Sequence, residues 1–210
     1  MTFKTAIMAP LLALALAGCG NDADKGSALA IAKGLFPAKA SAGVPQKIDR
    51  QAALARTSGP LVVVSAGAQA NEALLLRIEE NGPYETFATA NRQTVTFRQG
   101  MVTSTRGLGD DLMSSNPDQA LALITARKPG ASTRQMQYLD GANNRINVQF
   151  NCDLAIAGQS RQMVSMTETC TSESRDFVNE YHVDSGGHIV NSRQWISPMI
   201  GSYNIVVLRR

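Results

Sequence analysis

Short apolar segments separated by turn residues fill the chain from Leu61 to Arg210, and this pattern limits the possible folds most. Residues 61–64 form a buried-type run, and residues 93–98 alternate apolar and polar side chains with period two. Asn81-Gly82 stands between two such segments, which is a strong signal for a tight hairpin. The pattern predicts a mainly β fold, either an antiparallel β-sandwich or an open barrel-like sheet.

One stretch, residues 115–130, departs from the β pattern. Asn116 is a candidate N-cap residue, Pro117 suits the first helical position, and Leu121 and Ile124 follow at helical spacing. A Pro-Gly pair then ends the segment. We therefore expect one short amphipathic helix, whose apolar side packs in the core.

The N-terminal segment resembles a bacterial lipoprotein signal peptide. Lys4 precedes an apolar run at residues 6–17, which is too short for a membrane-spanning helix. The run leads into Leu-Ala-Gly-Cys at residues 16–19, a sequence similar to the lipobox. In lipoproteins with this motif the cysteine is lipidated and the residues before it are removed. Residues 1–18 are therefore the expected signal peptide, and Cys19 is the expected lipid attachment site.

The residue after Cys19 bears on localisation. Gly20 replaces the aspartate that, in enteric bacteria, tends to retain lipoproteins in the inner membrane. We therefore expect an anchor in the outer membrane, with the protein facing the periplasm. Residues 19–60 are the expected lipidated N-terminus and tether, with one short helix before about Pro45, and residues 61–210 the expected single periplasmic domain.

Two cysteines remain once the lipobox cysteine is set aside, Cys152 and Cys170. An even pair in an oxidising compartment suggests a disulfide. A redox or metal pair would need a Cys-x-x-Cys spacing or further ligands nearby, and the sequence has neither. A turn at residues 157–160 would put the two cysteines out of step, so the sequence leaves open a β-bulge or a bond between two layers.

The charge distribution gives no sign of nucleic-acid binding. The chain has 20 Lys and Arg against 17 Asp and Glu, and the basic residues are scattered. The glycines at residues 107 and 109 lack the remainder of a phosphate-binding loop, and residues 139–144 lack the closing glutamate of a calcium loop. We expect neither a cofactor nor a bound metal.

Residues 182–190, with the sequence HVDSGGHIV, contain the Asp-Ser-Gly-Gly core of the nucleophile loop in trypsin-like serine proteases. Such a site needs a histidine and a buried aspartate that reach the serine from elsewhere in the fold. Here His182 and His188 both lie within three residues of Ser185, and Val183 replaces the glycine of the protease motif. We expect a hairpin turn with exposed histidines, without catalysis or metal binding.

Several ordered blocks point to a known family. They are TRGLGDDLM at residues 105–113, YLDG at 138–141, the Cys152 and Cys170 pair with ETC at 168–170, FVNEYHVDSGG at 177–187 and SRQWISPMIG at 192–201. Together with the lipobox they resemble the YjbF/GfcB family of bacterial lipoproteins, which are associated with capsule and exopolysaccharide operons. His182 departs from the aromatic residue common there. The resemblance implies a mainly β fold, no established catalytic activity, and a role in secretion or assembly of extracellular polysaccharide.

The leading functional hypothesis is a non-enzymatic, lipid-anchored periplasmic factor for polysaccharide export that binds glycan or a protein of the export machinery. Aromatic rings stack on sugar faces, while Arg and Asp bind hydroxyl or acidic groups. The candidate binding surface therefore consists of Arg106, Asp110, Asp111, Arg193 and Trp195. For Trp195 a core position is the favoured alternative, because it is the only tryptophan and shares a face with Ile189.

Two alternatives belong to other functional classes. A lipid or lipoprotein carrier of open-barrel type would need a large apolar cavity. A polysaccharide-modifying hydrolase would need two carboxylates on facing strands across a cleft. A structure that shows either a surface groove or a closed apolar cavity would separate the export factor from the carrier.

Overall fold

The computed structural model describes residues 46–67, 70–140 and 142–210. The described chain contains two helices, α1 (Arg50–Arg56) and α2 (Asp118–Thr125). Its strands are β1 (Leu61–Ser65), β2 (Glu72–Asn81), β3 (Tyr84–Ala88), β4 (Thr94–Arg98), β5 (Met101–Arg106), β6 (Ser114–Asn116), β7 (Gly130–Leu139), β8 (Arg145–Gln159), β9 (Met163–Thr171), β10 (Asp176–Asp184), β11 (Ile189–Ser197) and β12 (Gly201–Arg209). Neither helix is long and apolar enough to cross a bilayer. The predicted mainly β class is confirmed.

All twelve strands form one antiparallel sheet, in the order β5-β4-β3-β2-β1-β12-β11-β10-β9-β8-β7-β6. The two edges of this sheet approach each other at residues 107–113, which we call the closing loop. On one side the Thr105 N–H donates to the carbonyl oxygen of Leu112 at 2.8 Å, and on the other the Met113 N–H donates to that of Gln137 at 2.8 Å. The sheet is therefore a nearly closed barrel, which is the second of the two predicted architectures.

Tight turns join neighbouring strands, as the sequence predicts. Asn81 pairs with Tyr84 across the β2–β3 turn, where Gly82 has a φ of 56°. The Asp-Ser-Gly-Gly stretch is the turn between the paired strands β10 and β11. Gly187 has a φ of 81° there, and its N–H donates to the carbonyl oxygen of Asp184 at 3.0 Å. Positive φ suits glycine, so this stretch is the predicted hairpin turn.

Helix α2 packs against the inner face of the barrel. Its buried residues are Ala120, Leu121 and Ile124, and they contact inward-facing side chains of β8, β9 and β10. Asn116 accepts a hydrogen bond from the Asp118 N–H at 3.0 Å, which satisfies one donor of the first turn. The predicted helix and its apolar side are thus confirmed, but the helix begins one residue later than expected, with Pro117 rather than Asn116 at the N-cap position. We call β6–β10 together with α2 the filled side of the barrel.

Helix α1 is a second helix, which the sequence did not predict at this position. It lies outside the barrel, where Ala53 is buried among Leu61, Val63 and Leu74. Its N-terminus is capped by Asp49, which accepts from the Ala52 N–H at 3.0 Å. The packed part of the chain therefore includes residues 46–60, which the sequence assigned to the tether. Seven helical residues with one buried alanine give too weak a periodic signal to be read from sequence.

Residues 1–45 lie outside the described part of the chain. The predicted signal peptide, the lipid attachment at Cys19 and the short helix in the tether therefore stay predictions. The described chain begins beside the N-terminal end of β2. There the Gln46 N–H donates to Asn71 Oδ1 at 2.8 Å, and the Gln46 carbonyl oxygen accepts from the Glu72 N–H at 2.9 Å. The first described residue, Gln46, thus lies at the end of the barrel that also holds the closing loop.

Cys152 and Cys170 face each other directly on β8 and β9 and form a disulfide with an S–S distance of 2.02 Å. Both are buried. The register of the two strands shifts between Ile156 and Gly158, which is a β-bulge. The extra residue in this bulge brings the two cysteines into direct opposition, which a simple hairpin register had left open. The bond lies within one hairpin rather than between two layers.

Candidate functional site

A pair of opposite charges is buried inside the filled side. Arg134 on β7 donates from Nη1 to Glu168 Oε2 on β9 at 3.0 Å, and the two side chains are 2% and 0% exposed. Arg134 Nη2 also donates to Ser115 Oγ at 3.2 Å. All three residues occupy inward positions of their strands, where alternation would otherwise place apolar side chains. The pair is shielded from water, so each charge depends on the other.

Further polar groups bind one oxygen of the Glu168 carboxylate, whereas the buried Glu168 Oε1 and Arg134 Nε have no hydrogen-bond partner among the described residues. Glu168 Oε2 accepts from Asn179 Nδ2 and from the Tyr181 hydroxyl, each at 2.8 Å. Asn179 Oδ1 in turn accepts from the backbone N–H of Trp195 at 2.7 Å. We call Ser115, Arg134, Glu168, Asn179 and Tyr181 the buried network. It links four strands of the filled side to β11.

The electrostatics of the buried network favour a structural role. Burial alone would lower the pKa of Arg134, but the Glu168 carboxylate beside it leaves that pKa raised. Burial and the same carboxylate raise the pKa of Tyr181 well above its usual value. Both groups therefore keep their protons near neutral pH and offer no proton for acid–base chemistry. The Cys152 and Cys170 sulfurs lie within 4.8 Å of a Glu168 oxygen, but the disulfide leaves no thiolate to bind a metal.

The other side of the barrel contains a cavity of about 460 Å³. We call this the open side; it is formed by β1, β3, β4 and β12, with the start of β11. The volume lies within the usual range of small-molecule sites, about 300–1,000 Å³. The apolar wall of the cavity consists of Val62, Phe87, Phe97, Ile189, Ile205 and Val207. The apolar wall agrees with the carrier alternative, but the cavity is open at its mouth rather than closed.

The rim of this cavity is polar and lies at the end of the barrel opposite the closing loop. Its charged or titratable members are Glu85, His188, Arg209 and Arg210. The Glu85 carboxylate is paired with Arg77 at 2.6 Å. The Arg209 guanidinium donates to carbonyl oxygens at the C-terminal end of α1, including that of Leu54 at 2.8 Å. The cavity therefore combines an apolar interior with a mainly cationic mouth.

The β10–β11 turn forms part of this mouth, and Asp184 shapes it. Asp184 Oδ1 accepts from the backbone N–H groups of Gly186 and His188, each at 2.9 Å. Its Oδ2 accepts from Arg210 Nη2 at 2.7 Å. The backbone bond from His188 and the bonds from Arg210 hold the pKa of the Asp184 carboxyl well below its usual range. Asp184 is therefore ionised and fixes the turn.

The arrangement around Ser185 is not that of a protease. Ser185 is exposed and does not line the cavity. Within the described chain no hydrogen bond joins it to a histidine: His188 Nδ1 lies 3.2 Å from Asp184 Oδ1, and His182 Nδ1 lies 2.9 Å from Ser165 Oγ. His188 is exposed as predicted, whereas His182 is half-buried, because it packs beside β9.

Two members of the predicted binding surface hold the closing loop in place. Arg106 donates to the carbonyl oxygens of Leu112 and Met113, each at 3.2 Å. Asp111 Oδ1 accepts from Thr105 Oγ1 at 2.9 Å. These bonds tie the loop to the end of β5, so both side chains contribute to the closure of the barrel.

The other three members have separate contacts in the structure. Asp110 accepts from the Met199 N–H at 2.9 Å, which joins the closing loop to the β11–β12 turn. Trp195 is half-buried and stacks on Phe177, with ring centroids 4.7 Å apart, so it belongs mainly to the core. Arg193 is exposed on β11, opposite Glu180. Glycan binding by these five residues stays a prediction.

The buried network and the cavity were both missed by sequence reasoning. Glu168 lies between the inward-facing Met166 and Cys170, and Asn179 and Tyr181 share the inward parity of β10. Polar residues at inward positions of an alternating strand are the signal that could have identified them. No comparable signal exists for the cavity, because its wall comes from strands far apart in sequence.

The chain matches the family described as "Group 4 capsule polysaccharide lipoprotein gfcB, YjbF" over residues 42–208. Among curated proteins, none matches it. Among solved structures, it is similar to the crystal structure of the hypothetical lipoprotein YmcC from Escherichia coli (K12), with a TM-score of 0.65 and 14% sequence identity. That match covers 77% of this chain and 88% of the other. At this identity the likeness shows a shared fold.

Proposed function

The chain belongs to the family of group 4 capsule polysaccharide lipoproteins, GfcB and YjbF, and on this premise we propose that it assists secretion or assembly of capsule polysaccharide as a binding protein without catalysis of its own. In this proposal lipid on Cys19 anchors it in the outer membrane, and its barrel faces the periplasm. Glycan or a protein of the export machinery is its partner.

The cavity at the mouth of the barrel is the observation that carries this proposal. A preformed concave site with an apolar wall and a few polar groups at its edge is typical of ligand binding. A glycoside hydrolase would need two carboxyl groups across such a site. Among the described residues that line the cavity, Glu85 alone has a carboxylate side chain, and Arg77 is already paired with it. The lining therefore supports binding rather than hydrolysis.

The position of the tether supports a mouth that is free to meet a partner. The first described residue, Gln46, lies beside Asn71, whereas the mouth lies at the opposite end of β1, near Pro60. Residues 20–45 could extend to roughly 90 Å, at about 3.3–3.6 Å per residue. A barrel anchored in this way can direct its mouth away from the membrane that holds it.

The apolar wall favours a second candidate function, that of a lipid or lipoprotein carrier. Two phenylalanines and four aliphatic side chains form the wall, and the polar groups lie at the rim. A hydrocarbon chain fits such a wall better than a bare sugar, which needs hydrogen-bond partners throughout its site. The two candidates are compatible if the ligand is a lipid that takes part in polysaccharide export.

Complementation of a strain that lacks the gene tests the proposal. Wild-type protein and Ser185→Ala should restore surface polysaccharide, because a turn serine supports no chemistry. Cys19→Ser should not restore it, and the protein should leave the outer-membrane fraction. Full restoration by Cys19→Ser would refute the anchored role. Loss of output in a normally folded Ser185→Ala would refute the non-enzymatic role.

A further inference from the structure

The shape of the mouth is fixed by close backbone contacts rather than by loose loops. Gly187 has a φ of 81°, and a Cβ added there would lie 2.6 Å from the carbonyl oxygen of Thr125 at the end of α2. Gly100 has a φ of 88°, and its added Cβ would lie 2.9 Å from Ile189 Cβ. Gln194 on β11 also donates to the Gly100 carbonyl oxygen at 2.8 Å. The cavity is therefore preformed.

The interior of this preformed cavity suits hydrocarbon. Phe87 and Phe97 contact each other edge to face, with ring centroids 5.5 Å apart, and both belong to the apolar core cluster that borders the cavity. Val62 and Ile205 complete the inner part of the wall. An apolar chain can enter here without leaving a polar group unpaired.

The mouth suits an anionic group. Arg209, Arg210 and His188 line it, and the two carboxylates at its edge, Glu85 and Asp184, are already bound by Arg77 and Arg210 respectively. Arg210 uses Nη2 to bind Asp184, and the planar guanidinium has further N–H groups. Guanidinium groups bind phosphate and carboxylate oxygens by charge-assisted hydrogen bonds.

We propose that the cavity binds one hydrocarbon chain of an amphiphile, with an anionic head held at the mouth by Arg210 and His188. This inference rests on the proposed binding function of the cavity and names its ligand class. Three sources share this chemistry: a phospholipid, an isoprenoid phosphate, and the acyl chains that the predicted anchor would attach to Cys19 of the same protein.

A chain-length series on the full-length wild-type protein tests the inference. Octyl, decyl, dodecyl and tetradecyl phosphate are titrated by calorimetry below their micellar concentrations. Burial of each methylene should strengthen binding about fourfold, which corresponds to ~0.8 kcal/mol, until the cavity is full. Affinity independent of chain length would overturn the inference, as would tighter binding of capsule oligosaccharide than of any alkyl phosphate.

A matched pair of variants locates the ligand. Val207→Phe places a larger side chain in the cavity wall and should weaken dodecyl phosphate binding at least tenfold. Val206→Phe adds the same volume to the same strand at a position that does not line the cavity, and it should bind as wild type does. Equal binding by the two variants would overturn the assignment to this cavity. The chain-length series needs no variant, so it decides the question even if Val207→Phe fails to fold.

Further measurements test the head group of the ligand and its natural source. Arg210→Gln should weaken dodecyl phosphate several-fold and leave dodecyl maltoside unchanged; equal loss for both would refute the anionic head. If farnesyl phosphate binds more tightly than dodecyl phosphate, the natural ligand is an isoprenoid. If dodecyl phosphate binds more tightly, the natural ligand has a straight acyl chain. Tighter probe binding by Cys19→Ser than by lipidated protein would identify its own acyl chain as the occupant. If the protein binds these ligands but its loss does not change surface polysaccharide, only the proposed export role is refuted and the ligand class stands.

Discussion

The two sides of the barrel use their interiors in opposite ways. The filled side places a helix, a disulfide and the buried network against the inner face of its strands. The open side leaves about 460 Å³ between apolar side chains of four strands. Both sides come from the same alternating pattern of inward and outward residues. The difference indicates that the filled side supplies rigidity, and that the open side supplies binding.

The largest effect expected from this comparison comes from the buried charge pair. Glu168→Leu removes one partner and leaves the Arg134 charge buried, which should lower the free energy of unfolding by about 3–5 kcal/mol. The double variant Arg134→Met with Glu168→Leu should recover much of this loss, because no unpaired charge is left. Urea unfolding measures the free energy of unfolding of the single and the double variant. Equal stability of Glu168→Leu and wild type would show that the filled side does not depend on the pair.

Loss of the disulfide should have the second-largest effect on the free energy of unfolding. Cys152→Ala or Cys170→Ala should lower the free energy of unfolding by about 3 kcal/mol, the value expected for a loop of this length, since the two cysteines are 18 residues apart. The double variant should be no less stable than the less stable single variant, because one substitution already removes the bond. Free thiols at both positions in native protein, measured by thiol titration, would contradict this expectation.

Gly187 lies where the two sides meet, because its turn rims the cavity and contacts the end of α2. Gly187→Val forces a β-branched residue to positive φ and against the Thr125 carbonyl oxygen, which should lower stability by on the order of 1–3 kcal/mol. Gly186→Val is the control, since Gly186 lacks positive φ and its added Cβ meets the movable His188 ring. Positive φ therefore confines the backbone strain to Gly187. Similar thermal unfolding of the two variants would contradict this.

Asp184 gives the smallest stability effect, and one that depends on pH. Its folded pKa lies below the ordinary value of 3.8, so it stabilises the fold fully above that value. The contribution is lost as the pH falls further, toward the folded pKa. Asp184→Asn should therefore be less stable than wild type at pH ~7, and the difference should shrink in acid. A difference that is constant across the acid range would show that the carboxylate charge does not hold the mouth.

Sequence reasoning predicted the parts of this molecule that depend on local patterns. Strand alternation gave the β class and the inward cysteines, and turn chemistry identified the Asp-Ser-Gly-Gly hairpin against its protease-like appearance. Helix α2 followed from Asn116, Pro117 and the spacing of its apolar residues.

The parts that sequence reasoning missed depend on distant contacts. Arg106 and Asp111 hold the closing loop, and nothing local in the sequence shows these bonds. Arg134 and Glu168 pair across strands whose register is fixed only in the folded barrel. The cavity lies between side chains of strands that are far apart in sequence. No short stretch of sequence therefore predicts it.

Polysaccharide output in cells tests the central claim that the open side is the working site. A strain that lacks the gene is complemented with Val207→Phe or with Val206→Phe, at equal protein levels in the outer-membrane fraction. If the cavity carries the function, Val207→Phe should lose surface polysaccharide and Val206→Phe should restore it. Full restoration by Val207→Phe, in protein shown by calorimetry to have lost ligand binding, would contradict the account.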